Sequence, residues 1–400
     1  MTAPSPKRMR LAVVSSHPIQ YYAPLFRALG QRLDLTVFFA HRATPLDQAA
    51  AGFGAAFEWD IDLLSGYRSR FMTNVSKFPA TARFFGCDTP EIAQYIRTGK
   101  FDAVLVLGWY LKSYLQAIAA AKRAGIPVLV RGDSQLMTSS NPVKGLFKRL
   151  IYPSALRIFN AILYVGHRSR EYLESYGYPR NRLFFSPHCV DTQWFGQCGN
   201  AEAGAALRKQ EGIGKDEAVV LFAGKLLPFK RPLDIIDAAA CLVNGGRPVT
   251  VMVAGSGPLE EPIRHRAAQV GVKLVLLGFR NQTEMPACYA ACDVLVLPST
   301  GRETWGLVAN EALACGRPII VSNAVGCGPD LAADGIVGRT FPLGDYARLA
   351  EQIGSVLDDR PPLAAIGRQS QAYNIDAACD GVIKALEFVM LRRAKRKAIE

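Results

Sequence analysis

Two glutamates in a short apolar segment are the residues whose chemistry first needs explanation. Glu303 and Glu311 lie eight positions apart in GRETWGLVANEALACGRPIIVS, residues 301–322. On one α-helix, eight steps of about 100° would leave them roughly 80° apart around the axis and about 12 Å apart along it. The spacing is too wide for a catalytic pair of carboxylates, so we expect the two residues to have different roles.

The elements around the two glutamates place them in different surroundings. Residues 294–297 are apolar and are followed by a proline, which predicts a buried strand and then a loop that carries Glu303. Helical spacing over residues 307–315, closed by a glycine, predicts a helix that carries Glu311. On this helix Glu311 shares a face, expected to pack inward, with Leu307, Val308, Ala314 and Cys315. A carboxylate buried there needs a partner.

The length and composition of the chain indicate its domain number and the kinds of partner it could bind. The chain has 400 residues, half of them hydrophobic, which predicts two domains with separate cores. Its net charge of +13 indicates an anionic partner, which could be nucleic acid, a phosphorylated ligand or acidic lipid. Nine cysteines without a C-x-x-C pair argue against a disulfide framework or a zinc site. No signal peptide or membrane span is evident in the sequence, so we expect a cytoplasmic protein.

Short apolar runs alternate with helical patterns along the whole chain, which predicts an α/β protein with parallel sheets. The predicted strands are 11–16, 35–40, 102–108, 127–131, 161–166 and 183–187 in the first half, and 218–224, 249–255, 273–278, 293–299 and 318–322 in the second. A long insertion, residues 41–100, interrupts the first series. The polar, glycine-rich residues 196–204 separate the series.

We therefore expect two doubly wound, Rossmann-like domains facing a central cleft. The first spans residues 1–195 and the second spans residues 196–375, with a linker near residue 195. Residues 376–400 are expected to form a helix that packs back on the first domain.

Three loops of the second domain carry the residues suited to binding a ligand. Lys225 and Lys230 follow the strand 218–224, and a turn with Gly255 and Gly257 follows the next strand. Glu303 follows the strand 293–299. Because ligands of such sheets bind at the carboxyl ends of the strands, these loops should converge on one crevice. Lysines and helix N-termini suit phosphate, and glutamates suit hydroxyl groups, so the set predicts a phosphorylated, hydroxyl-rich ligand.

Four segments of the chain resemble segments that occur in the same order in the large retaining glycosyltransferase family 4, which has the GT-B fold. The E-x7-E signature resembles residues 303–311, and the G-R/K-x4-K segment resembles AGKLLPFKRPLDIIDA, residues 223–238. The family's G-x-G-P turn is similar to VAGSGPLEEPI, residues 253–263, and GPDLAADGIVGRTFPLGD follows near the end of the match. The resemblance is specific over residues 185–346.

The resemblance implies a role for each matching position. Lys225 and Lys230 would hold the diphosphate of a nucleotide-sugar donor and stabilise the leaving group. Glu311 would bind the ribose hydroxyls and Glu303 the sugar hydroxyls. Gly255 and Gly257 would lie at the donor, and backbone N–H groups would point at it from Trp305, Gly306 and Leu307. No metal or other cofactor would be required.

The first domain departs from the family pattern. Its first loop reads SSHPIQYYAP, which offers His17 and Gln20 where paired glycines are usual. RGDSQ offers Asp133 where many members have a histidine at a strand end, and SPHCVD places His188 in the segment that joins the domains. We therefore name His17, Gln20 and Asp133 as candidate sugar or acceptor contacts, with Asp133 also a candidate catalytic residue.

Each signal also has a purely structural interpretation. Glu311 could pair with a basic residue, Lys225 and Lys230 could lie in a solvated loop, and His188 could be a packed hinge residue. Asp60-Ile-Asp62 spells the D-x-D of metal-dependent glycosyltransferases of another fold, but it lies in the insertion, away from the loops that carry the candidate site.

Basic residues are concentrated in residues 142–182 and 391–397. Apolar residues are interspersed with the charges of residues 145–159, a pattern that suits a helix on an anionic bilayer and equally a solvated helix face. Nucleic acid is the less favoured partner, because no recognised binding module accompanies the charge.

The leading hypothesis is a retaining, metal-independent glycosyltransferase with a nucleotide-sugar donor and a glycan or lipid-linked acceptor, acting in cell-surface polysaccharide or glycolipid synthesis. A nucleotide-sugar epimerase or a phosphorylase of the same fold is the second possibility, and the phosphorylase would need a pyridoxal-binding lysine that no segment indicates. A non-catalytic sugar-nucleotide-binding protein is the third.

Overall fold

The computed structural model describes residues 8–49, 56–136 and 142–398. Residues 1–7, 50–55, 137–141 and 399–400 lie outside these ranges, so the predicted insertion 41–100 and the predicted helix 376–400 are described only in part.

The first domain is built on seven parallel strands. They are β1 Arg10–Ser15, β2 Asp34–Phe39, β3 Arg68–Phe71, β4 Ala103–Val106, β5 Val128–Gly132, β6 Ala161–Tyr164 and β7 Leu183–Phe185, in the sheet order β3-β2-β1-β4-β5-β6-β7. Six correspond to predicted strands. The sequence did not predict β3, because its residues RSRF lie at an edge, are largely exposed and lack an apolar run.

Six helices connect these strands: α1 Ala23–Arg32, α2 Pro45–Gln48, α3 Ile92–Thr98, α4 Lys112–Arg123, α5 Pro142–Ala155 and α6 His167–Ser175. They cover both faces of the sheet, so the central strands are apolar on both sides. Val13 of β1 belongs to the core on one face, and the adjacent Val14 belongs to the core on the other.

The second domain repeats this architecture with six strands. They are β8 Ala218–Ala223, β9 Val249–Ala254, β10 Lys273–Gly278, β11 Val294–Leu297, β12 Ile319–Ser322 and β13 Gly338–Phe341, in the order β10-β9-β8-β11-β12-β13. Five correspond to predicted strands. The sixth, β13, reads GRTF, and its two central residues are polar, so no apolar run marks it.

The remaining helices are α7 Thr192–Cys198, α8 Ala201–Gln210, α9 Leu233–Asn244, α10 Glu260–Val270, α11 Met285–Ala291, α12 Leu307–Ala314, α13 Gly328–Leu331, α14 Tyr346–Asp358, α15 Leu363–Ala372 and α16 Ile375–Lys397. Most of them flank the second sheet. The last, α16, crosses to the first domain, where Ala378, Val382 and Leu386 join the core beside β1 and α1.

The polar segment 196–204, which separates the two predicted series of strands, is largely helical in the structure. These residues belong largely to α7 and α8, and Phe195 is already part of the core of the second domain. One polar residue in this segment, Asn200, caps a helix, because its side chain accepts a hydrogen bond from the Ala203 N–H at 2.9 Å. The chain passes between the domains earlier, over residues 186–191.

Within the described ranges, no helix is long and apolar enough to cross a bilayer.

Candidate active site

The three loops singled out in the second domain meet at one edge of its sheet. Strands β9, β8 and β11 are neighbours in the sheet order, and all are parallel. Their carboxyl ends therefore lie side by side. Lys225 follows β8, Gly255 and Gly257 follow β9, and Glu303 follows β11.

Lys230 and Glu303 form an ion pair at this edge. Their side chains are 14% and 15% exposed, so both charges are largely removed from water. Ser299 Oγ also lies 3.4 Å from the Glu303 carboxylate. Burial lowers the pKa of Lys225, the nearby charge of Lys230 lowers it further, and Glu303 opposes the shift. Two partly desolvated lysines against one carboxylate leave a positive site, which suits an anion.

The glycine turn is packed backbone to backbone against the basic loop. Gly255 has φ +151°, and a Cβ at this position would lie 1.9 Å from the carbonyl oxygen of Gly224. A Cβ at Gly257 would lie 2.8 Å from the Leu226 oxygen. The Leu226 N–H donates to the Ser256 oxygen at 2.9 Å. These glycines thus hold the two loops together, a structural requirement that the sequence pattern did not distinguish from ligand contact.

Helix α12 begins at the same edge without a side-chain cap. Its N-cap is Gly306, with φ +99°, and a Cβ there would lie 2.4 Å from Leu297 Cδ2. The N–H groups of a first helical turn have no acceptor within the helix, so the start of α12, at Leu307, attracts negative charge. Trp305 just before it is 3% exposed, and its ring N–H donates to Asn310 at 2.8 Å. The indole of Trp305 is therefore part of the core of the second domain.

The structure corrects the predicted inward face of α12. Its fully buried residues are Ala309, Asn310, Ala312 and Leu313. Of the face predicted to be buried, Cys315 is buried, while Glu311, Leu307, Val308 and Ala314 are only partly so. Helical spacing groups residues into faces but does not say which face lies against the sheet. Glu311 therefore lies at a partly buried position on α12.

Glu311 already has two polar partners in this position. The hydroxyl of the fully buried Tyr289 donates to its carboxylate, and Gln282 also bonds to it. Burial raises the pKa of Glu311 to about 7, and these two hydrogen bonds oppose the rise. The carboxyl group is thus close to half ionised at neutral pH, and hydroxyl donors from a ligand would favour its ionised form.

The first domain brings Asp133 to the loop that carries Glu303. Asp133 Oδ2 accepts the hydroxyl of Thr304 at 2.7 Å and lies 3.7 Å from His188 Nε2. Burial acts to raise the pKa of Asp133, but the hydrogen bond and charge of His188 together with Thr304 outweigh it and bring the pKa to about 2. With this pKa the carboxylate is ionised at neutral pH, and its side chain is 46% exposed.

His188 is the buried neighbour of Asp133. Its side chain is 6% exposed, and burial lowers its pKa, against the opposing effect of Asp133. Its Nδ1 atom is buried and has no hydrogen-bond partner among the described residues. The packed-hinge interpretation of His188 agrees with this burial, and the contact with Asp133 adds an electrostatic role.

Sequence reasoning missed Gln135 as an interdomain contact. Its side-chain amide donates to the Gly301 oxygen at 2.8 Å and to the Glu303 oxygen at 3.2 Å. Gln135 lies two residues after Asp133 in the same loop, and this proximity was the one signal available. Thr304 and Gln135 together attach the loop that carries Glu303 to the first domain.

His17 and Gln20 lie on the turn after β1. His17 Nδ1 is 2.9 Å from Ser16 Oγ, and the Ser15 hydroxyl donates to the backbone oxygen of His17. Burial and the charge of His41 lower the pKa of His17 to about 4, against the opposing charge of Asp47, so its imidazole is neutral at pH 7. No hydrogen bond or ion pair described for the chain connects His17 or Gln20 with Asp133 or Glu303.

The D-x-D sequence in the insertion serves a different purpose. Asp60 accepts the N–H of Thr283 at 3.1 Å and also its hydroxyl, and Asp62 caps a turn by accepting from Leu64 and Ser65. Among the described residues, no group of three or more His, Cys, Asp or Glu side chains is arranged to hold a metal ion. Asp60 instead links the first domain to the loop after β10.

Part of the chain is similar in sequence to known proteins. Residues 205–373 match the family model described as glycosyl transferases group 1. The D-inositol 3-phosphate glycosyltransferase of Corynebacterium efficiens is 34% identical over 180 residues, which are 43% of this chain and 42% of that protein. The protein of the same name from Mycolicibacterium smegmatis is 32% identical over 209 residues, 48% of this chain and 46% of that protein. The chain thus matches less than half the length of these relatives.

Solved structures match over nearly the whole chain. Anabaena Alr3699/HepE in complex with UDP and glucose is 18% identical, with a TM-score of 0.66 over 95% of this chain and 99% of that one. A glycosyltransferase from Rickettsia africae is 14% identical, with a TM-score of 0.72 over 96% and 99% of the two chains.

The protein has the GT-B fold, with two parallel-sheet α/β domains on either side of a cleft. Within its second domain, residues 205–373 are similar to the glycosyl transferases group 1 model, in agreement with the sequence resemblance.

Proposed function

We propose that this protein is a glycosyltransferase that moves a sugar from a nucleotide-diphosphate sugar to a glycan or lipid-linked acceptor, with retention of anomeric configuration and without a metal. The observation that carries the proposal is the Lys230–Glu303 ion pair, with Lys225 beside it, next to the uncapped start of α12. The match to the glycosyl transferases group 1 model supports it, and the UDP complexes of Alr3699/HepE show a protein of this fold binding a nucleoside diphosphate.

Donor binding would replace the ion pair with new partners for both charges. Lys230 would turn to the diphosphate, and Glu303 would accept hydroxyl groups of the sugar. Because each buried charge exchanges one partner for another, neither is left uncompensated. Glu311 would accept the ribose hydroxyls beside Tyr289, so the two glutamates would bind opposite ends of one donor.

The same groups would act in the chemical step. As the bond between the anomeric carbon and the diphosphate oxygen breaks, negative charge grows on the diphosphate. Lys225, Lys230 and the N-terminus of α12 would stabilise that charge. Since these groups supply the positive charge, the proposal requires neither a metal nor an organic cofactor.

Retention is proposed to follow a front-face route. The acceptor hydroxyl would attack from the side on which the diphosphate leaves, through an oxocarbenium-like state, and its proton would pass to the departing diphosphate oxygen. No protein nucleophile is then needed. Asp133 would hold a sugar or acceptor hydroxyl, and its half-exposed carboxylate beside Thr304 supports this role.

The acceptor is proposed more broadly than the donor. A role in cell-surface polysaccharide or glycolipid synthesis calls for a glycan or lipid-linked acceptor. The names of the curated relatives favour a second candidate, a phosphorylated cyclitol such as D-inositol 3-phosphate. The net charge of +13 is compatible with an anionic acceptor of either kind.

The proposed location is the cytoplasm, with association at the cytoplasmic face of a membrane. An anionic membrane surface is the proposed further partner, and nucleic acid is not.

The proposal is tested by incubating the full chain with UDP, GDP and ADP sugars and with glycan, lipid-linked and inositol phosphate acceptors, in the presence of EDTA. We expect one donor to be consumed, and nuclear magnetic resonance to show the anomeric configuration of the donor in the product. An inverted product would contradict retention, and loss of turnover in EDTA would contradict metal independence.

The same assay separates the alternatives. Tight binding of a nucleoside diphosphate without consumption of any donor would favour a non-catalytic binding protein. Conversion of the donor to an epimer would favour an epimerase, and phosphate-dependent cleavage of a glycan would favour a phosphorylase.

A further inference from the structure

An exposed aromatic surface on the first domain is not explained by the donor site. Between β3 and α3, the exposed fractions are 55% for Val75, 75% for Phe78, 41% for Phe84 and 69% for Phe85. Tyr110, which follows β4, is 53% exposed. Single exposed apolar residues are ordinary on a protein surface, but a concentration of large ones marks a binding surface. We call residues 73–87 the aromatic loop.

The aromatic loop is a built structure that presents these side chains. The Asn74 side chain bonds to backbone groups of Ser76, Gly86 and Asp88 at 2.9–3.1 Å. The Ala80 N–H donates to the Gly86 oxygen at 3.0 Å. A Cβ at Gly86 would lie 2.1 Å from the Ala80 oxygen, so the two ends of the loop are in close backbone contact. The loop therefore has a fixed shape, with its aromatic rings directed outward.

The aromatic loop itself carries only basic charges, and Glu91, which follows the loop, accepts the Thr73 N–H at its start. Residues 63–87 contain four arginines or lysines and no aspartate or glutamate. Lys77 and Arg83 of the aromatic loop are exposed, and neither has an ion pair among the described residues. The next acidic residue, Asp88, is neutralised by Lys112 at 2.6 Å. Lys77 and Arg83, which have no ion pair among the described residues, thus lie in the same loop as the exposed phenylalanines.

We propose that the aromatic loop docks on an anionic lipid bilayer. Aromatic side chains are favoured at the boundary between headgroups and acyl chains, and basic residues are attracted to anionic headgroups. The loop combines both and contains no carboxylate that the headgroups would repel. This surface differs from the basic helical segment that the sequence suggested, which corresponds to α5, where the side chains of residues 142–147 lie outside the described part of the structure.

Docking through this loop would orient the cleft toward the membrane. The aromatic loop follows the carboxyl end of β3. Asp133 follows the carboxyl end of β5, and the carboxyl ends of these parallel strands lie along the same edge of the sheet. The ring centroids of Tyr110 and Tyr114 are 6.0 Å apart, and the Tyr114 hydroxyl accepts the Ser16 N–H at 3.1 Å, directly after β1. A lipid-anchored acceptor would thus meet the proposed acceptor side directly. The docking itself does not depend on the proposed activity.

The test is co-sedimentation of the full chain with lipid vesicles. We expect binding to phosphatidylcholine vesicles that contain about 30% phosphatidylglycerol, little binding to phosphatidylcholine alone, and release at about 0.5 M salt. The double variant Phe78→Ser/Phe85→Ser should bind at least about tenfold more weakly. The double variant Lys77→Glu/Arg83→Glu should lose the preference for anionic vesicles.

Two variants serve as controls. Leu363→Ser removes an apolar side chain of the second domain that is 72% exposed, and it should bind as the unmodified protein does. Leu150→Ser/Ile151→Ser changes residues of α5 that are 71% and 54% exposed, and it tests the other candidate surface. An unchanged melting temperature in each variant shows that the fold is intact.

Three outcomes of the vesicle assay would overturn the proposal. They are equal binding to neutral and anionic vesicles, unchanged binding by the phenylalanine variant, and loss of binding only in the α5 variant. Self-association of the protein that disappears in the phenylalanine variant would also overturn it, because the surface would then be a contact between copies of this chain. None of these outcomes depends on donor turnover, so they are distinguishable from failure of the proposed activity.

Discussion

At the residue scale, the two glutamates of the E-x7-E segment differ in their partners. Glu303 is paired with Lys230, and the peptide oxygens on its loop are bonded to Gln135 of the first domain. Among the residues that the structure describes, Glu311 is paired with no cation, and its polar partners are Tyr289 and Gln282. This difference predicts different consequences of their removal.

Glu311→Ala should weaken nucleotide binding by about tenfold to a hundredfold, because two hydrogen bonds from ribose hydroxyls to a carboxylate are lost. Glu303→Ala should mainly lower kcat, because its contact is with the transferred sugar. Calorimetry with the nucleoside diphosphate and steady-state kinetics with the donor measure the two effects. Equal, negligible effects of both variants would contradict the assignment.

The pH dependence of nucleotide binding should report on Glu311. Burial raises the pKa of this carboxyl group from 4.5 to about 7. Ribose hydroxyls donate to the ionised form, so affinity should rise by about tenfold between pH 6 and pH 8. In Glu311→Gln the dependence should disappear. An unchanged pH profile in this variant would assign the titration to another group.

The free energy of unfolding should depend on pH with the opposite sign to nucleotide affinity. The folded protein holds the proton of Glu311 more tightly than the unfolded chain does, so this group lowers stability as pH rises from about 4.5 toward 7. Thermal unfolding of the unmodified protein and of Glu311→Gln across this range should show the larger decline in the unmodified protein.

At the scale of elements, the glycine turn after β9 shows a backbone requirement. Gly255→Ala would bring a Cβ against the Gly224 oxygen, so the loops must separate, and the melting temperature should fall by several degrees. Gly246→Ala is the matched control, because Gly246 also has a positive φ, +81°, but no atom within 4 Å of the added Cβ. Similar losses in both variants would show that φ alone, and not the close packing, sets the requirement.

A second element, residues 56–62 of the insertion, contacts the loop after β10. The ring centroids of Phe57 and Phe279 are 4.3 Å apart, and the Asp60 carboxylate accepts the Thr283 N–H. Gln282, the neighbour of Thr283, bonds to Glu311. This insertion segment should therefore steady the residues that support the ribose end of the donor.

Asp60→Ala should accordingly weaken nucleotide binding by about twofold to tenfold, through release of the loop that carries Gln282. Glu58→Ala is the matched control, because Asn281 bonds to the backbone oxygen of Glu58 and that bond is kept. Titration calorimetry compares the two variants. If Asp60→Ala binds the nucleotide as tightly as Glu58→Ala does, the contact is structural only.

Elements with an apolar run were predictable from the sequence, and those without one were not. Strands such as β8 and β11 are apolar along their length and coincide with prediction. The edge strands β3 and β13 are short and partly polar, and their pairing with a neighbour creates them. The polar residues 196–204 were interpreted as the break between the two series of strands, because residues that cap helices and residues that form linkers are of the same types.

At the scale of the whole molecule, the sequence predicted which second-domain loops meet, because parallel strands fix where their carboxyl ends lie. It did not predict how the first domain reaches them. The contacts of Gln135 with Gly301 and of His167 with Asp330 join residues more than 150 positions apart. Such contacts depend on the packing of two complete domains, and no local pattern records them.

The central claim is that Lys225 and Lys230 make the second-domain edge a site for a nucleoside diphosphate. Titration calorimetry of the full chain with UDP, GDP and ADP, and with the corresponding monophosphates, tests it most directly. We predict that one diphosphate binds at least about tenfold more tightly than its monophosphate, that Lys230→Ala removes this difference, and that Lys209→Ala, at an exposed position on α8, does not. Equal binding of diphosphate and monophosphate by the unmodified protein, or an undiminished difference in Lys230→Ala, would contradict the account.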